Sequence, residues 1–195
     1  MKKFELTTES ITFLGRTLFR IKALISFGNV KEGELGGYIE KEGNLSHEGN
    51  AWVCGDARVF GNAWVFGDAW VYGNAWVFGN AWVFGDAEVC DNAWVYGNAR
   101  VFGDAEVYDN ARVFGDAWVY GNADIATISG FGSEYRTTTF FRTKNDEIAV
   151  KCGCFYGTLA EFREKVKETH GDNRYAKEYL MIADLMEMHF RGEEE

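Results

Sequence analysis

The sequence predicts a mainly β chain wound into a parallel β-coil of about four turns. An N-terminal β cap closes one end and a C-terminal ββαα module follows the other. Three observations predict this. A six-residue pattern, Gly-[Asn/Asp]-Ala-x-Val-x, runs without insertion from Gly49 to Ala126, thirteen units in all, with only Asp91 and Asp109 in place of Gly. Within each unit Ala and Val alternate with larger residues, which is the period of a strand and not of a helix. The 195-residue chain is also 47% hydrophobic and 16% aromatic, so it has apolar surface to bury. The organisation that follows is a cap over residues 1–48, a repeat over 49–126 and a module over 127–195.

Each part of the hexad has a physical job. A glycine every sixth residue would cost a helix about 1 kcal/mol at each occurrence. Gly followed by Asn or Asp instead tolerates positive φ and turns a corner. Identical short strands joined by identical corners wind into a parallel coil, three units to a triangular turn of 18 residues. Ala and Val then point inward and the variable residues outward. Thirteen units at three per turn give about four and a third turns, roughly 20 Å of height at ~4.8 Å per turn.

Residues 18 apart stack on one face. The first face carries Trp52, Trp70, Glu88, Glu106 and Asp124; the second Arg58, Trp76, Trp94 and Arg112; the third Trp64, Trp82, Arg100 and Trp118. The third face adds a second ladder of Phe66, Phe84, Phe102 and Tyr120. Indoles do not fit inside such a prism, so all seven tryptophans are expected outside. That is more aromatic surface than a monomer normally leaves wet. The second or third face is therefore expected to be covered, by symmetry mates or by the C-terminal segment. Trp64, Trp82, Trp118, Phe66 and Phe84 on the third face, with Trp76, Trp94, Arg58 and Arg112 on the second, are the candidate ligand- or partner-binding residues.

The repeat resembles the hexapeptide repeat of left-handed β-helix proteins, which place an aliphatic residue inward and a small residue inward two positions before it. Val53, Val59 and Val65 match the aliphatic site, and Ala51, Ala57 and Ala63 the small one. The resemblance covers 78 residues and departs where Phe or Tyr follows the aliphatic residue. It implies a left-handed coil and a homo-oligomer, a trimer above all, about an axis parallel to the prism.

In the cap, Phe4–Thr7 reads as a strand, and Ile11–Leu14 with Thr17–Ile21 as a hairpin around Gly15-Arg16. Gly36-Gly37 precedes a strand at Tyr38-Ile39-Glu40, and Leu45-Ser46-His47 reads as a degenerate hexad. The segment Leu24 to Asn50 resembles the N-terminal part of bacterial hexapeptide proteins described as acyltransferases. Past Ala126, Thr137–Arg142 and Ile148–Cys152 read as two strands. Thr158 and Glu161 form a capping box for a helix with Leu159, Phe162 and Val166 on its apolar stripe, ending at His170-Gly171. Asn173 caps a second helix with Tyr175, Tyr179, Ile182, Met186 and His189 on one face, and the tail Glu193–Glu195 is expected to fray. The signature Cys152-Gly153-Cys154-Phe155-Tyr156-Gly157-Thr158-Leu159, with Glu161-Phe162 after it, resembles a small domain of unknown function at the C-termini of repeat proteins from phages, prophages and gut bacteria.

Charge and motif content narrow the chemistry. Net charge is −10, and the repeat alone holds three Arg against ten acids, which argues against nucleic acid as a partner. No run of about 18 apolar residues exists to cross a membrane, and Met1-Lys2-Lys3 opens no secretion signal. A cytoplasmic protein of a bacterium or phage-infected host, with reduced thiols, is expected. Of the three histidines, His47 is the one candidate general base, at a position that Val takes in later hexads. His189 is expected to pack and His170 to sit in the last turn of its helix. Cys152 and Cys154, alternate residues on a strand, lack the four ligands of a structural zinc site, so no metal and no cofactor are expected. Cys54 and Cys90 lie two turns apart, roughly 10 Å, too far for a disulfide. Asp68, Asp86 and Asp104 stack on one edge as solvated corners.

The expected function is a non-catalytic, oligomeric scaffold or binding protein. The phage resemblance implies a host protein or small signalling molecule as its partner and a role in counter-defence or regulation. Two alternatives stand beside it: an acyl-CoA-dependent acyltransferase of the hexapeptide family, and an aromatic ladder that binds a ligand by stacking.

Overall fold

The computed structural model describes residues 1–191; the Glu193–Glu195 tail lies outside them. A ten-residue strand β1 (Phe4–Phe13) turns at Leu14-Gly15, both at positive φ, into β2 (Arg16–Ala23), and β3 (Leu35–Ile39) follows. Twelve two-residue strands come next, from β4 (Trp52–Val53) in steps of six to β15 (Trp118–Val119). They form three parallel sheets in register at intervals of 18 residues: Trp52 beside Trp70, Arg58 beside Trp76, Trp64 beside Trp82, and so on along each sheet. The chain is a parallel β-solenoid of about five turns.

The extra turn comes from the cap. Ile39 of β3 pairs beside Val59, and Leu45 bridges to Val65, so segments without the hexad supply two sides of a first coil. At the other end the thirteenth hexad adds no coil. Asn122–Asp124 forms a 3-10 turn, and Asp124 leaves the Trp52–Glu106 stack. Its carboxylate accepts from the Tyr120 N–H at 3.0 Å and pairs with Arg142 at 2.9 Å.

The interior is as narrow as the hexad implies. Every inward Val from Val53 to Val119 is fully buried, and the inward Ala from Ala51 to Ala117 are at most 1% exposed. Corners lie in the left-handed region, Asp91 and Asp109 included at φ 57° and 58°. At Gly85 (φ 71°) a Cβ would stand 2.9 Å from the Gly103 nitrogen, so both backbone angle and spacing demand glycine there. One corner is knitted side chain to side chain. Asn62, Asn80, Asn98 and Asp116 hydrogen-bond in line, Lys41 at one end and Lys144 at the other.

Each coil donates its N–H groups to the carbonyls of the next, as Trp52 does to Ala69 and Arg58 to Ala75. The first coil is therefore left with open carbonyls and the last with open N–H groups. Proton donors close the first. β3 covers one side, with Tyr38 N–H on the Ala57 carbonyl. The Asn44 side-chain amide donates to Gly61 and Ala63 at 3.2 and 2.8 Å, and Lys3 Nζ donates to Gly49 and Ala51 at 3.2 and 2.8 Å. Oxygen acceptors close the last: Asn122 Oδ1 for Glu106 N–H and Thr139 Oγ1 for Arg112 N–H.

The C-terminal module has four strands where sequence reasoning found two. β16 (Ile125–Phe131), β17 (Arg136–Arg142), β18 (Ile148–Cys152) and β19 (Phe155–Thr158) make an antiparallel sheet in that order. The outer two were hidden because β16 begins inside the last hexad and β19 is short and merges with the helix cap. Helices α1 (Leu159–His170) and α2 (Arg174–Arg191) pack on it. The Thr158–Glu161 capping box is formed, and Asn173 Oδ1 accepts from Ala176 N–H at 3.0 Å. Leu159, Phe162 and Val166 are buried as expected. On α2 the stripe runs through Ala176, Tyr179, Ile182, Ala183, Met186 and Phe190. His189 is exposed rather than packed, because Phe190 takes the inward position.

Two outcomes test the capping scheme. Asn44→Ala strands the buried Ala63 carbonyl and the half-buried Gly61 carbonyl, so it should lower the unfolding free energy by about 1–3 kcal/mol in chemical denaturation, while Asn92→Ala at an exposed corner should change little. Burial pushes the Lys3 ammonium down to about 8 from 10.5, with Asp68 opposing. The folded state then binds this proton less tightly than the unfolded chain, so the Lys3 contribution to stability rises between about pH 8 and pH 10.5. The Cys54 thiol, raised by burial to about 11 from 9.0, works in the opposite direction. The difference between wild type and Lys3→Met melting curves across that range should isolate the lysine.

Candidate functional site

The outward residues divide the prism into three unlike surfaces. On the second face, parallel rings stack from coil to coil: Trp76 on Trp94 at 4.4 Å, Phe60 on Phe78 at 5.0 Å, Phe78 on Tyr96 at 4.8 Å. Both terminal segments grip this face. Phe13 of the β1–β2 hairpin lies edge-on to Trp76 at 4.6 Å and under the Arg58 guanidinium at 4.3 Å. Tyr156 lies against Phe114 at 4.3 Å. The cover therefore comes from the two ends of the same chain, and the N-terminal hairpin's share was not foreseen. Arg58 is spent on this packing. Arg112 stacks over Trp94 at 4.0 Å and borders a cleft against the module.

The first face fades from aromatic to acidic, as its sequence implied. Trp52 does project outward from the coil, yet it is wholly buried, because Phe4 and Phe27 of the cap close over it. Six tryptophans, not seven, thus keep any access to solvent.

Among the described residues, the third face has no covering segment along its length. Trp64 is 37% exposed and Trp118 41%. Phe66, Phe84 and Phe102 form a parallel ladder at 4.7 and 4.9 Å, and Tyr120 ends it edge-on at 5.2 Å. Arg100 lies between Trp82 at 4.7 Å and Trp118 at 5.2 Å. The outward residues of this face include no carboxylate, although Asp68, Asp86 and Asp104 line one of its edges. Arg100, Phe102 and Tyr120 complete the surface of which Trp64, Trp82, Trp118, Phe66 and Phe84 were named from sequence; the 18-residue spacing places them in the same line.

The remaining candidates have local work. His47 Nδ1 accepts the Lys3 backbone N–H at 3.2 Å, its ring stacks on Phe4 at 4.3 Å, and Nε2 stands 3.7 Å from Glu42. It positions the start of β1 beside the Lys3 cap. Lys2, first, and then His47 hold the Glu42 carboxyl below its ordinary range. Cys152 is half-buried, with Thr138 Oγ1 at 3.1 Å and the Tyr179 hydroxyl at 3.7 Å. Cys154 falls in the β18–β19 turn and is exposed, so the two thiols do not share a strand face. Cys54 and Cys90 are unpaired, as expected, with Tyr72 between them in the stack. Among the described residues no group of three or more His, Cys, Asp or Glu is placed to hold a metal ion.

A family model described as the YdcK beta solenoid repeat matches residues 105–121. The chain is a β-solenoid repeat protein. The matched span is nearly one 18-residue turn, the last of the repeat, and includes Trp118 of the third face. No curated protein matches the chain.

The Arg100 sandwich gives a direct test of the third face. Arg100→Gln should cost about 0.5–2 kcal/mol of stability and increase acrylamide quenching of tryptophan fluorescence, since Trp82 and Trp118 lose their shared cover.

Proposed function

We propose that this protein is a non-catalytic binding scaffold that self-associates through its third face, as a trimer about an axis parallel to the coil. The observation that carries the reading is a rigid, continuous aromatic surface without a carboxylate in a chain of net charge −10. Two copies repel through most of their surface. They approach at least cost where neither presents an outward carboxylate and the one outward cation, Arg100, is stacked between indoles, and there burial of indole and phenyl surface is favourable. The face is preorganised by its ring ladders, so association orders few side chains.

Self-association leaves the C-terminal modules free at one end of the assembly. The resemblance of the Cys152–Phe162 signature to a domain of phage and prophage repeat proteins supports a host protein or small signalling molecule as the further partner. A reducing cytoplasm suits four unpaired cysteines. The acyltransferase alternative is weakened by His47, whose Nδ1 is engaged in the cap.

Sedimentation equilibrium should find a trimer for the wild type and a monomer for the Trp64→Glu, Trp118→Glu double variant, with the β circular dichroism unchanged. A wild type that stays monomeric would sink self-association and leave the aromatic face to a stacked ligand.

A further inference from the structure

We propose that the cleft between the last coil and the C-terminal module binds a phosphate-bearing small molecule. The cleft holds about 390 Å³ and is lined by Asn110 and Arg112 from the solenoid and by Arg136, Thr137, Thr139, Lys151 and Gly153 from the module. Its construction follows from the pleat of β17 and β18. Thr138, Phe140, Val150 and Cys152 turn toward the helices and join the module's core or its edge. The alternate residues turn toward the solenoid. Phe141 and Ala149 pack there, while Thr137, Thr139 and Lys151 open onto the cleft.

Three cations converge in a protein that is otherwise strongly acidic. The Arg112 guanidinium stands over Trp94 at 4.0 Å, and the Lys151 ammonium over Phe114 at 5.4 Å. Neither has a carboxylate within ion-pair distance among the described residues; both are held by aromatic faces, which leave their N–H donors uncommitted. Arg136 meets only Glu134, at 3.5 Å, and both of those side chains are more than half exposed. Neutral donors complete the set. Thr139 is almost wholly buried, and its oxygen accepts the Arg112 backbone N–H at 3.1 Å, which leaves its hydroxyl proton to donate. Thr137 Oγ1 and Ser129 Oγ are hydrogen-bonded at 2.9 Å, one hydroxyl of the pair keeping its proton free, and Asn110 contributes an amide.

Three positive charges with several hydroxyl and amide donors exceed what one carboxylate can use. They match a dianionic tetrahedral group, whose oxygens accept many charge-assisted hydrogen bonds at once. The volume leaves room for the organic part of a phosphorylated metabolite. The site stands apart from the third face and does not depend on self-association.

The test is titration of the full-length protein with inorganic pyrophosphate at low salt, followed by calorimetry and by ³¹P resonance shifts, with citrate as a polycarboxylate comparison. Saturable binding is expected, weakened about tenfold by Lys151→Gln or by Arg136→Gln and by added salt. Lys144→Gln, outside the cleft, should bind as wild type does. Arg112→Gln is read together with its melting curve, since that guanidinium also packs on Trp94; the other two variants carry the test if it fails to fold. The Trp64→Glu, Trp118→Glu variant should bind pyrophosphate normally, so loss of self-association and loss of the anion site are separable. No saturable binding, equal binding by Lys151→Gln and Arg136→Gln, or citrate binding as tightly as pyrophosphate would each overturn the proposal.

Discussion

The direction of the hydrogen bonds between coils is the constraint on which the rest of this structure depends. At three positions of each hexad the N–H points toward the C-terminal end and meets a carbonyl of the next coil, as Asn62 does Gly79, Trp64 Ala81 and Phe66 Val83. The stack is polar along its axis at these positions, and its two ends need opposite chemistry there. Buried carbonyls without donors, or N–H groups without acceptors, would each cost about 1–3 kcal/mol, and open edges would recruit further strands. The chain meets this demand with donors at one end, Asn44 and Lys3 among them, and with side-chain oxygens at the other. Lys3 is an extreme case, an ammonium at 1% exposure doing the work of a backbone amide.

The caps in turn decide which outward surfaces remain. To place Lys3, the cap must run β1 past the first coil, and Phe4, itself stacked on His47, then buries Trp52 together with Phe27. To place Thr139, the module must lean its sheet on the last coil, which sets Tyr156 on Phe114 and opens the cationic cleft beside Arg112. The third face is the aromatic side that the two caps leave uncovered. Its ring ladders are rigid because in-register strands put like residues directly opposite each other, about 4.7–4.9 Å apart. Arg100 shows the same economy, filling one rung of the indole column with a cation that stacks on both neighbours.

The repeat was legible because its information is local. Gly-Asn-Ala-Trp-Val-Phe states a corner, an inward pair and an outward pair in six residues, and repetition removes ambiguity about register. Thr158 with Glu161, and Asn173, were legible for the same reason: a cap is set by side chains three residues from the amides they serve. His189 was misplaced because a helical stripe read at period 3.6 cannot separate adjacent positions at its edge, and Phe190 buries more apolar surface. Strand β16 was concealed under the last imperfect hexad, where the same letters serve a different partner.

By itself the sequence determined the coil: its three sheets, the Val and Ala interior, the glycine corners and which residues stack on which. Those follow from strand period and from the conformations that glycine allows, neither of which needs a distant partner. Only the tertiary structure decided how the stack ends and what stays exposed. The Asn44 and Lys3 caps, the burial of Trp52, the hairpin over Arg58 and the cleft of Arg112, Arg136 and Lys151 all join segments far apart in the chain. Such contacts depend on where irregular segments land, and no period in the sequence encodes that.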